Sequence, residues 1–224
     1  MAKSPGKPKS PLMFQAREQI REAIISGRLA PGTQLKETRL SGELGISRLP
    51  IREALRLLEK EGLVESLPYR GAFVKRLTRK DAVEVFTVRG VIEELALKLM
   101  IPRVTPEMIE VLRQAVSDME AAEKDGDLTA SADKDLEFHR LICEFADNER
   151  LLAVWDTLAL QSKIFLCMGK SGFGVDTVYV RTHSSLLKAI EAGDAEIAVS
   201  HLKIHISDGI EYLLAHSCYD LAPE

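Results

Sequence analysis

The chain has 224 residues, enough for two modest domains that each bury a hydrophobic core. Its net charge of −4 is unevenly distributed: residues 1–80 carry 17 Lys and Arg against 8 Asp and Glu, whereas residues 81–224 carry 13 against 26, so only the first part suits a polyanionic partner. The absence of a long apolar run, of a hydrophobic signal segment and of any CxxC spacing disfavours a membrane-spanning protein, a secreted protein and a thiolate metal site, and predicts a cytoplasmic protein with no membrane contact.

The first 76 residues are predicted to form a tail and a small domain. Residues 1–12 are rich in Pro, Lys and Ser and are predicted to be a disordered basic tail. Hydrophobic spacing predicts helices at about 13–27 and 37–44, and a third that follows an N-cap at Ser47 and ends near Lys60. Two short strands within 63–74, separated by Pro68-Tyr69-Arg70-Gly71, complete the predicted domain over 13–76.

The third predicted helix carries two stripes of different chemistry. Arg48, Arg52 and Arg56 recur every four residues, and an aliphatic stripe that includes Ile51 and Leu55 runs beside them. The aliphatic stripe can fix the helix on a small core, while the arginines can reach phosphates and guanine edges. The pattern predicts a helix that enters a DNA groove; the alternative is a cluster of solvated surface charge.

From residue 77 onward the sequence predicts only helices. Thr78 and Asp81 form a capping-box pattern, and Thr105-Pro106 is typical of a helix start. The predicted helices lie at about 79–101, 105–124, 129–146, 149–169, 176–192 and 195–216. The short connections between them favour an antiparallel all-α bundle over 77–216, with a C-terminal tail at 217–224.

Four potential metal ligands fall on three of the predicted bundle helices. Asp135 and His139 are spaced i, i+4, so their side chains lie on one helix face, and His183 and His205 lie on the apolar sides of two later helices. One aspartate and three imidazoles can converge on a divalent cation in a bundle core. Spacing leaves alternatives open, because His201 forms a second i, i+4 pair with His205, and an inward histidine is often a hydrogen-bonded core residue.

Two N-terminal segments resemble a known DNA-binding family. Ser47-Arg48-Leu49-Pro50-Ile51-Arg52-Glu53-Ala54-Leu55, followed by Tyr69-Arg70-Gly71-Ala72-Phe73-Val74, is similar to the winged helix-turn-helix of the GntR family of bacterial transcriptional regulators. The resemblance implies that the chain binds double-stranded operator DNA as a homodimer, since two arms on a palindrome double the contacts of one. The implied DNA contacts are Ser47, Arg48, Pro50, Arg52, Arg70 and Gly71.

The bundle resembles the FCD ligand-binding domain of the FadR subfamily, so that the likeness covers roughly residues 15–215. The similarity rests on Asp135-Leu136-Glu137-Phe138-His139, Thr182-His183, Ala189-Ile190-Glu191-Ala192-Gly193-Asp194 and His205. It implies a mostly α fold in which a winged helix-turn-helix with a small β-wing precedes an all-α antiparallel bundle. It also implies a small carboxylate effector and a divalent metal ion, zinc first and nickel as the alternative. The implied metal ligands are Asp135, His139, His183 and His205.

Other positions qualify the resemblance. Arg89 matches an arginine that can face the effector cavity and bind a carboxylate, and its alternative role is a salt bridge within the bundle. Gly90 costs up to about 1 kcal/mol in helix propensity, so we expect close helix packing or pocket space there. The family commonly has Thr at the position of Leu49, and some relatives have Arg at the position of Thr38, so no operator sequence is transferred.

These features favour a ligand-responsive transcriptional regulator and not an enzyme. An organic acid bound in the 77–216 effector-binding and dimerisation domain would bias the placement of the two DNA-binding heads. One alternative is a metal-dependent enzyme with a basic appendage, but the sequence singles out no acid or base partner and leaves the basic head unexplained. The other alternative is a regulator whose metal is purely structural.

Overall fold

The computed structural model describes residues 11–76, 78–170 and 177–216. Most of the predicted N-terminal tail, most of the connection between the helices predicted at 149–169 and 176–192, and the predicted C-terminal tail at 217–224 lie outside these residues. The chain divides into two compact units, the first ending at Arg76 and the second beginning at Leu77. None of the helices in the described ranges has both the length and the apolarity needed to cross a membrane.

The first unit is a winged helix-turn-helix. It contains α1 (Leu12–Ile25), α2 (Glu37–Leu44), α3 (Arg48–Lys60), β1 (Val64–Leu67) and β2 (Gly71–Val74). The two strands pair antiparallel, with Val64 opposite Val74 and Leu67 opposite Gly71. The predicted elements of this unit are present, with α1 shifted by one or two residues from the predicted range.

Helix α3 is amphipathic in the predicted sense. Its buried residues are Ile51, Ala54, Leu55 and Leu58, and its arginines lie on the exposed side. Ser47 occupies the predicted N-cap position, but its side chain makes no capping hydrogen bond. Pro50 is tolerated as the third helical residue, because N–H groups of the first turn have no acceptor within the helix.

The second unit is an all-α bundle. It contains α4 (Arg79–Met100), a single 3-10 turn (Ile101–Arg103), α5 (Pro106–Lys124), α6 (Leu128–Phe145), α7 (Glu149–Lys170), α8 (Thr177–Glu191) and α9 (Ala195–His216). Helix α4 packs against α6, α7 and α9, while α5 packs against α6 and α8. Within the described residues the bundle therefore has the six predicted α-helices, and Pro102 lies in the 3-10 turn that follows the first of them.

Local sequence signals explain where the bundle helices begin. Thr78 and Asp81 form a complete capping box at the start of α4, and the Thr105 side chain accepts a hydrogen bond from the Met108 backbone N–H at the start of α5. Gly90 packs beside α9, where an added Cβ would lie 3.6 Å from Ile206 Cγ2. The helices thus enclose a core between α4, α6, α7, α8 and α9 in which polar side chains are also buried.

Candidate metal centre and nucleic-acid interface

The structure brings the four predicted metal ligands together in the core of the bundle. Asp135 and His139 extend from α6, His183 from α8 and His205 from α9, and all four are buried. One ligand atom from each lies within 4.8 Å of all the others. His201 is only partly buried and is not a member of this group among the described residues.

The spacing of the ligand atoms fits a divalent cation. His139 Nε2 lies 3.0 Å from His205 Nε2 and 3.2 Å from His183 Nε2, and His183 Nε2 lies 3.0 Å from Asp135 Oδ1. Adjacent nitrogen or oxygen ligands that are each about 2.0–2.1 Å from a zinc-like ion lie roughly 3.0–3.4 Å apart. Imidazole nitrogen with carboxylate oxygen is a donor set that suits zinc, nickel or copper. The residues present therefore fit a metal of this class.

Hydrogen bonds to the Nδ1 atoms orient two of the histidines. His139 Nδ1 lies 2.6 Å from Glu93 Oε2, and Thr182 Oγ1 lies 2.9 Å from His205 Nδ1. With its Nδ1–H donated to Glu93, His139 keeps the Nε2 lone pair directed at the other ligands. Glu93 also accepts hydrogen bonds from Arg89 Nε at 2.6 Å and from Trp155 Nε1 at 2.9 Å.

Glu93 and Thr182 contribute to the site, although neither is among the residues predicted from the sequence. Arg89 and Glu93 are spaced i, i+4 on the buried side of α4, and this spacing is a sequence signal that indicates a buried ion pair. The 62-residue separation of Glu93 and Trp155 carries no such signal. Trp155 is a core residue that is 1% exposed, and its indole N–H donates the hydrogen bond to Glu93.

The electrostatics of the cluster favour ionised carboxylates, and neutral imidazoles at His139 and His205. Burial raises the pKa of Glu93, but the charge of Arg89 and the hydrogen bonds from His139 and Trp155 outweigh it and hold the pKa at about 2. Burial likewise opposes ionisation of Asp135, yet the hydrogen bond with His183 and the charge of Arg89 bring its pKa well below the usual range. Burial lowers the pKa of His139 and of His205. These are the protonation states that metal ligation requires.

Arg89 lies in the buried ion pair that was the alternative to effector binding. Its Nε bonds to Glu93, and its Nη2 lies 3.6 Å from Asp135 Oδ2. Its guanidinium also lies 5.5 Å from the ring centroid of Phe86 and 6.0 Å from that of Trp155. The positive charge is thus held beside one of the candidate metal ligands, and contact with an effector stays a prediction.

The predicted DNA-contacting arginines of α3 converge on one carboxylate. Arg52 donates two hydrogen bonds to Glu37, from Nε at 2.8 Å and from Nη2 at 2.9 Å, and Arg48 Nη2 lies 3.6 Å from Glu37 Oε2. Ser47 beside them is exposed and Pro50 is partly buried. Glu37, which is the first residue of α2, is not among the contacts predicted from the sequence.

The wing presents its tip to solvent. Tyr69 is fully exposed and has a φ of 62°, and Gly71 has a φ of 91°, which is unfavourable for any residue with a side chain. Gln34 Nε2 donates a hydrogen bond to the Arg70 carbonyl at 2.7 Å, and the Arg70 guanidinium lies over Phe73 with its carbon 5.6 Å from the ring centroid. Arg70 and Gly71 thus sit in an ordered turn.

Comparison with known proteins finds a family match within each of the two units. Residues 13–74 match the family described as bacterial regulatory proteins, gntR family, and residues 84–208 match the FCD domain. A protein of Paenarthrobacter nicotinovorans named "Probable D-xylose utilization operon transcriptional repressor" is 33% identical over 193 residues, covering 86% of this chain and 84% of the relative. The gluconate operon transcriptional repressor of Bacillus subtilis (strain 168) is 27% identical over 195 residues, covering 85% and 80% respectively.

Solved structures show the same fold. A crystal structure of a GntR-type regulator from Rhodococcus sp. RHA1 superposes with a TM-score of 0.78 at 23% identity, covering 92% of this chain and 98% of that one. E. coli McbR/YncC superposes with a TM-score of 0.77 at 21% identity, with the same coverage. This chain therefore belongs to the GntR family of bacterial transcriptional regulators and joins its GntR helix-turn-helix to an FCD domain, in a FadR-like arrangement.

Proposed function

We propose that this regulator binds operator DNA as a homodimer and that its DNA binding responds to a small organic acid held at a metal ion in the C-terminal bundle. The observation that carries the proposal is the buried convergence of Asp135, His139, His183 and His205. Its relatives are named as regulators or repressors. The family consists of DNA-binding regulators and not enzymes, which argues against a metal-dependent enzyme.

The metal ion would be held by the four converging residues, with zinc favoured and nickel as the alternative. Such an ion supplies concentrated positive charge and coordination positions that a carboxylate can occupy. Glu93 supports this role because its hydrogen bond to Nδ1 fixes the tautomer of His139. Thr182 makes the corresponding contact with Nδ1 of His205.

The proposed effector is a small carboxylate or hydroxy-carboxylate. The bundle portion of the chain is acidic, so an anion needs local positive charge to bind there. Arg89 supports this class of ligand, since its buried guanidinium lies beside Asp135 within 3.6 Å. Similarity to gluconate operon repressors makes sugar acids a reasonable first class to screen.

The proposed DNA contacts lie on α3 and the wing. Arg48 and Arg52 would enter the groove, while Ser47 and Pro50 at the start of α3 would approach the phosphate backbone. Arg70 and Gly71 at the wing tip would reach the adjacent groove or backbone. The exposure of this surface and the basic composition of the N-terminal third support the assignment.

Homodimer formation is supported by an apolar stripe on α4. Val88, Val91, Leu95 and Leu99 recur at helical spacing, and they are 36–65% exposed. Exposed apolar patches of this kind mark interaction surfaces, and a two-fold axis can pair such a stripe with its own copy. We call these four residues the α4 stripe.

A purely structural metal is the second candidate, because ligands from α6, α8 and α9 would join three helices through one ion. In that case an acid would bind elsewhere, or not at all. The two candidates make opposite predictions for effector binding by metal-free protein.

Metal analysis of histidine variants tests the proposed site. Purified protein is expected to contain about one divalent ion per chain, and His183→Ala and His205→Ala should each lose most of it, because each removes a ligand. His201→Ala is the matched control on α9, since that side chain lies outside the cluster. Elemental analysis after dialysis gives the measurement, and equal metal loss from His201→Ala would contradict the ligand assignment.

A further inference from the structure

Glu37 links the start of α2 to the exposed face of α3. Its carboxylate accepts hydrogen bonds from both Nε and Nη2 of Arg52, and it lies within 3.6 Å of Arg48 Nη2. The Glu37 side chain is 25% exposed, whereas those of Arg48 and Arg52 are 61% and 48% exposed. A partly sheltered acid therefore holds two arginines that remain open to solvent.

This contact fixes the direction of the Arg52 guanidinium. A guanidinium has five N–H donors, and the bidentate contact uses the edge formed by Nε and Nη2. The outer edge, which includes Nη1, keeps donors for the O6 and N7 acceptors of a guanine. Holding a long side chain in one orientation before binding reduces the freedom it loses on binding.

The same contact changes the charge that the surface offers to a phosphate. The hydrogen bond from Arg52 lowers the pKa of Glu37, so the carboxylate stays ionised at neutral pH. An ionised acid beside two arginines leaves one net positive charge where two would otherwise act. Phosphate attraction is independent of base sequence, so this acid weakens binding to DNA in general.

We infer that Glu37 is a positioning residue that sets the sequence specificity of the regulator. It aligns Arg52 with a guanine edge, and its negative charge weakens the sequence-independent attraction of Arg48 and Arg52 to phosphates. The inference rests on the proposed operator binding. Glu37 is thus an acidic residue of α2 on a DNA-binding surface whose other predicted contacts are basic or small residues.

Selection from a random DNA pool tests the inference and does not require a known operator sequence. The full chain and its Glu37→Gln variant are each used to enrich a pool of random duplexes. Affinities are then measured for the enriched duplex and for a scrambled duplex of equal length, at one salt concentration. Glu37→Gln should bind the scrambled duplex more tightly, and its ratio of specific to non-specific affinity should fall roughly tenfold, with loss of a guanine preference in its enriched sequence.

Glu53→Gln is the matched control. It removes the same charge from α3, where Glu53 forms an ion pair with Arg56 at 3.0 Å. The charge of Glu53 also acts on Arg52, but Arg52 donates its two hydrogen bonds to Glu37. Its affinity ratio should match that of the unmodified chain. An equal fall in both variants would show a general charge effect and overturn the inference.

Thermal unfolding separates positioning from a structural role, because an acid at a helix N-terminus also stabilises the helix. A Glu37→Gln variant with a lower melting temperature and an unchanged affinity ratio would reduce Glu37 to that role and overturn the inference. Failure of the unmodified chain to enrich any sequence would instead overturn the proposed operator binding, and this inference with it.

Discussion

At the residue scale, the candidate metal centre depends on groups that bind no metal themselves. Glu93 receives hydrogen bonds from Arg89, Trp155 and His139, which keep its carboxylate ionised in the core. The ionised Glu93 in turn keeps the proton of His139 on Nδ1, and Nε2 faces the other ligands. The orientation of this ligand therefore rests on an ion pair within α4.

Ser162 gives a stability prediction at the same scale. It is fully buried on α7, and its hydroxyl has no hydrogen-bond partner among the described residues. A buried hydroxyl without a partner costs about 1–3 kcal/mol, and Ala also has a higher helix propensity than Ser. Ser162→Ala is therefore expected to raise the free energy of unfolding by about 1 kcal/mol, measured by denaturant titration.

Ser131 is the matched control for that measurement. It is also fully buried, on α6, but its hydroxyl donates a hydrogen bond to Glu123 at 3.5 Å. Ser131→Ala should lower the free energy of unfolding by about 1 kcal/mol, since it leaves a buried carboxylate with fewer donors. If both substitutions lower the free energy of unfolding by the same amount, the Ser162 hydroxyl does not carry the cost of an unpartnered buried group.

At the element scale, helix positions were predictable because their signals are local. Thr78 with Asp81 and Thr105 with Pro106 define helix starts within a few residues of sequence, and the structure confirms them. The pairing of Arg52 with Glu37 depends instead on how α2 meets α3. Such contacts require a three-dimensional arrangement that residue spacing does not specify.

Two glycines of α2 and its C-terminal end differ in backbone conformation, so alanine substitutions there should change the free energy of unfolding in opposite directions. Gly42 lies within the helix and Gly45 ends it with a φ of 65°, and an added Cβ would meet nothing within 4 Å at either position. Gly42→Ala should raise the free energy of unfolding by up to about 1 kcal/mol through helix propensity. Gly45→Ala should lower it by about 1–2 kcal/mol, because a left-handed backbone disfavours a Cβ. Denaturant titration of both variants gives the measurement, and changes of the same sign would contradict the account.

At the scale of the whole molecule, the sequence predicted part of the candidate site's geometry, and tertiary packing determines the rest. The i, i+4 spacing placed Asp135 and His139 on one face of α6, which the structure confirms. Spacing placed His183 and His205 on the apolar sides of their helices and left alternatives open, because their approach depends on the packing of α8 and α9. The charge difference between residues 1–80 and residues 81–224 follows directly from the amino-acid composition.

The proposed homodimer can be tested through the α4 stripe. Val91 is its most exposed member at 65%, so Val91→Asp places a charge at the centre of the proposed interface. Light scattering after size exclusion should show a dimer for the unmodified chain and a monomer for the variant. Val111→Asp, an exposed position on α5 outside the stripe, should remain dimeric. Dimers in all three samples would place the interface elsewhere.

We propose that a metal-held acid controls DNA binding, and one measurement tests this proposal directly. Operator affinity is measured for metal-loaded and chelator-treated protein, each with and without an acid that binds the loaded form. We expect the acid to change the operator affinity of loaded protein only, because the metal supplies the positive charge that the anion requires, while treated protein still binds DNA without responding. An equal response from treated protein would contradict the claim and assign the metal a purely structural role.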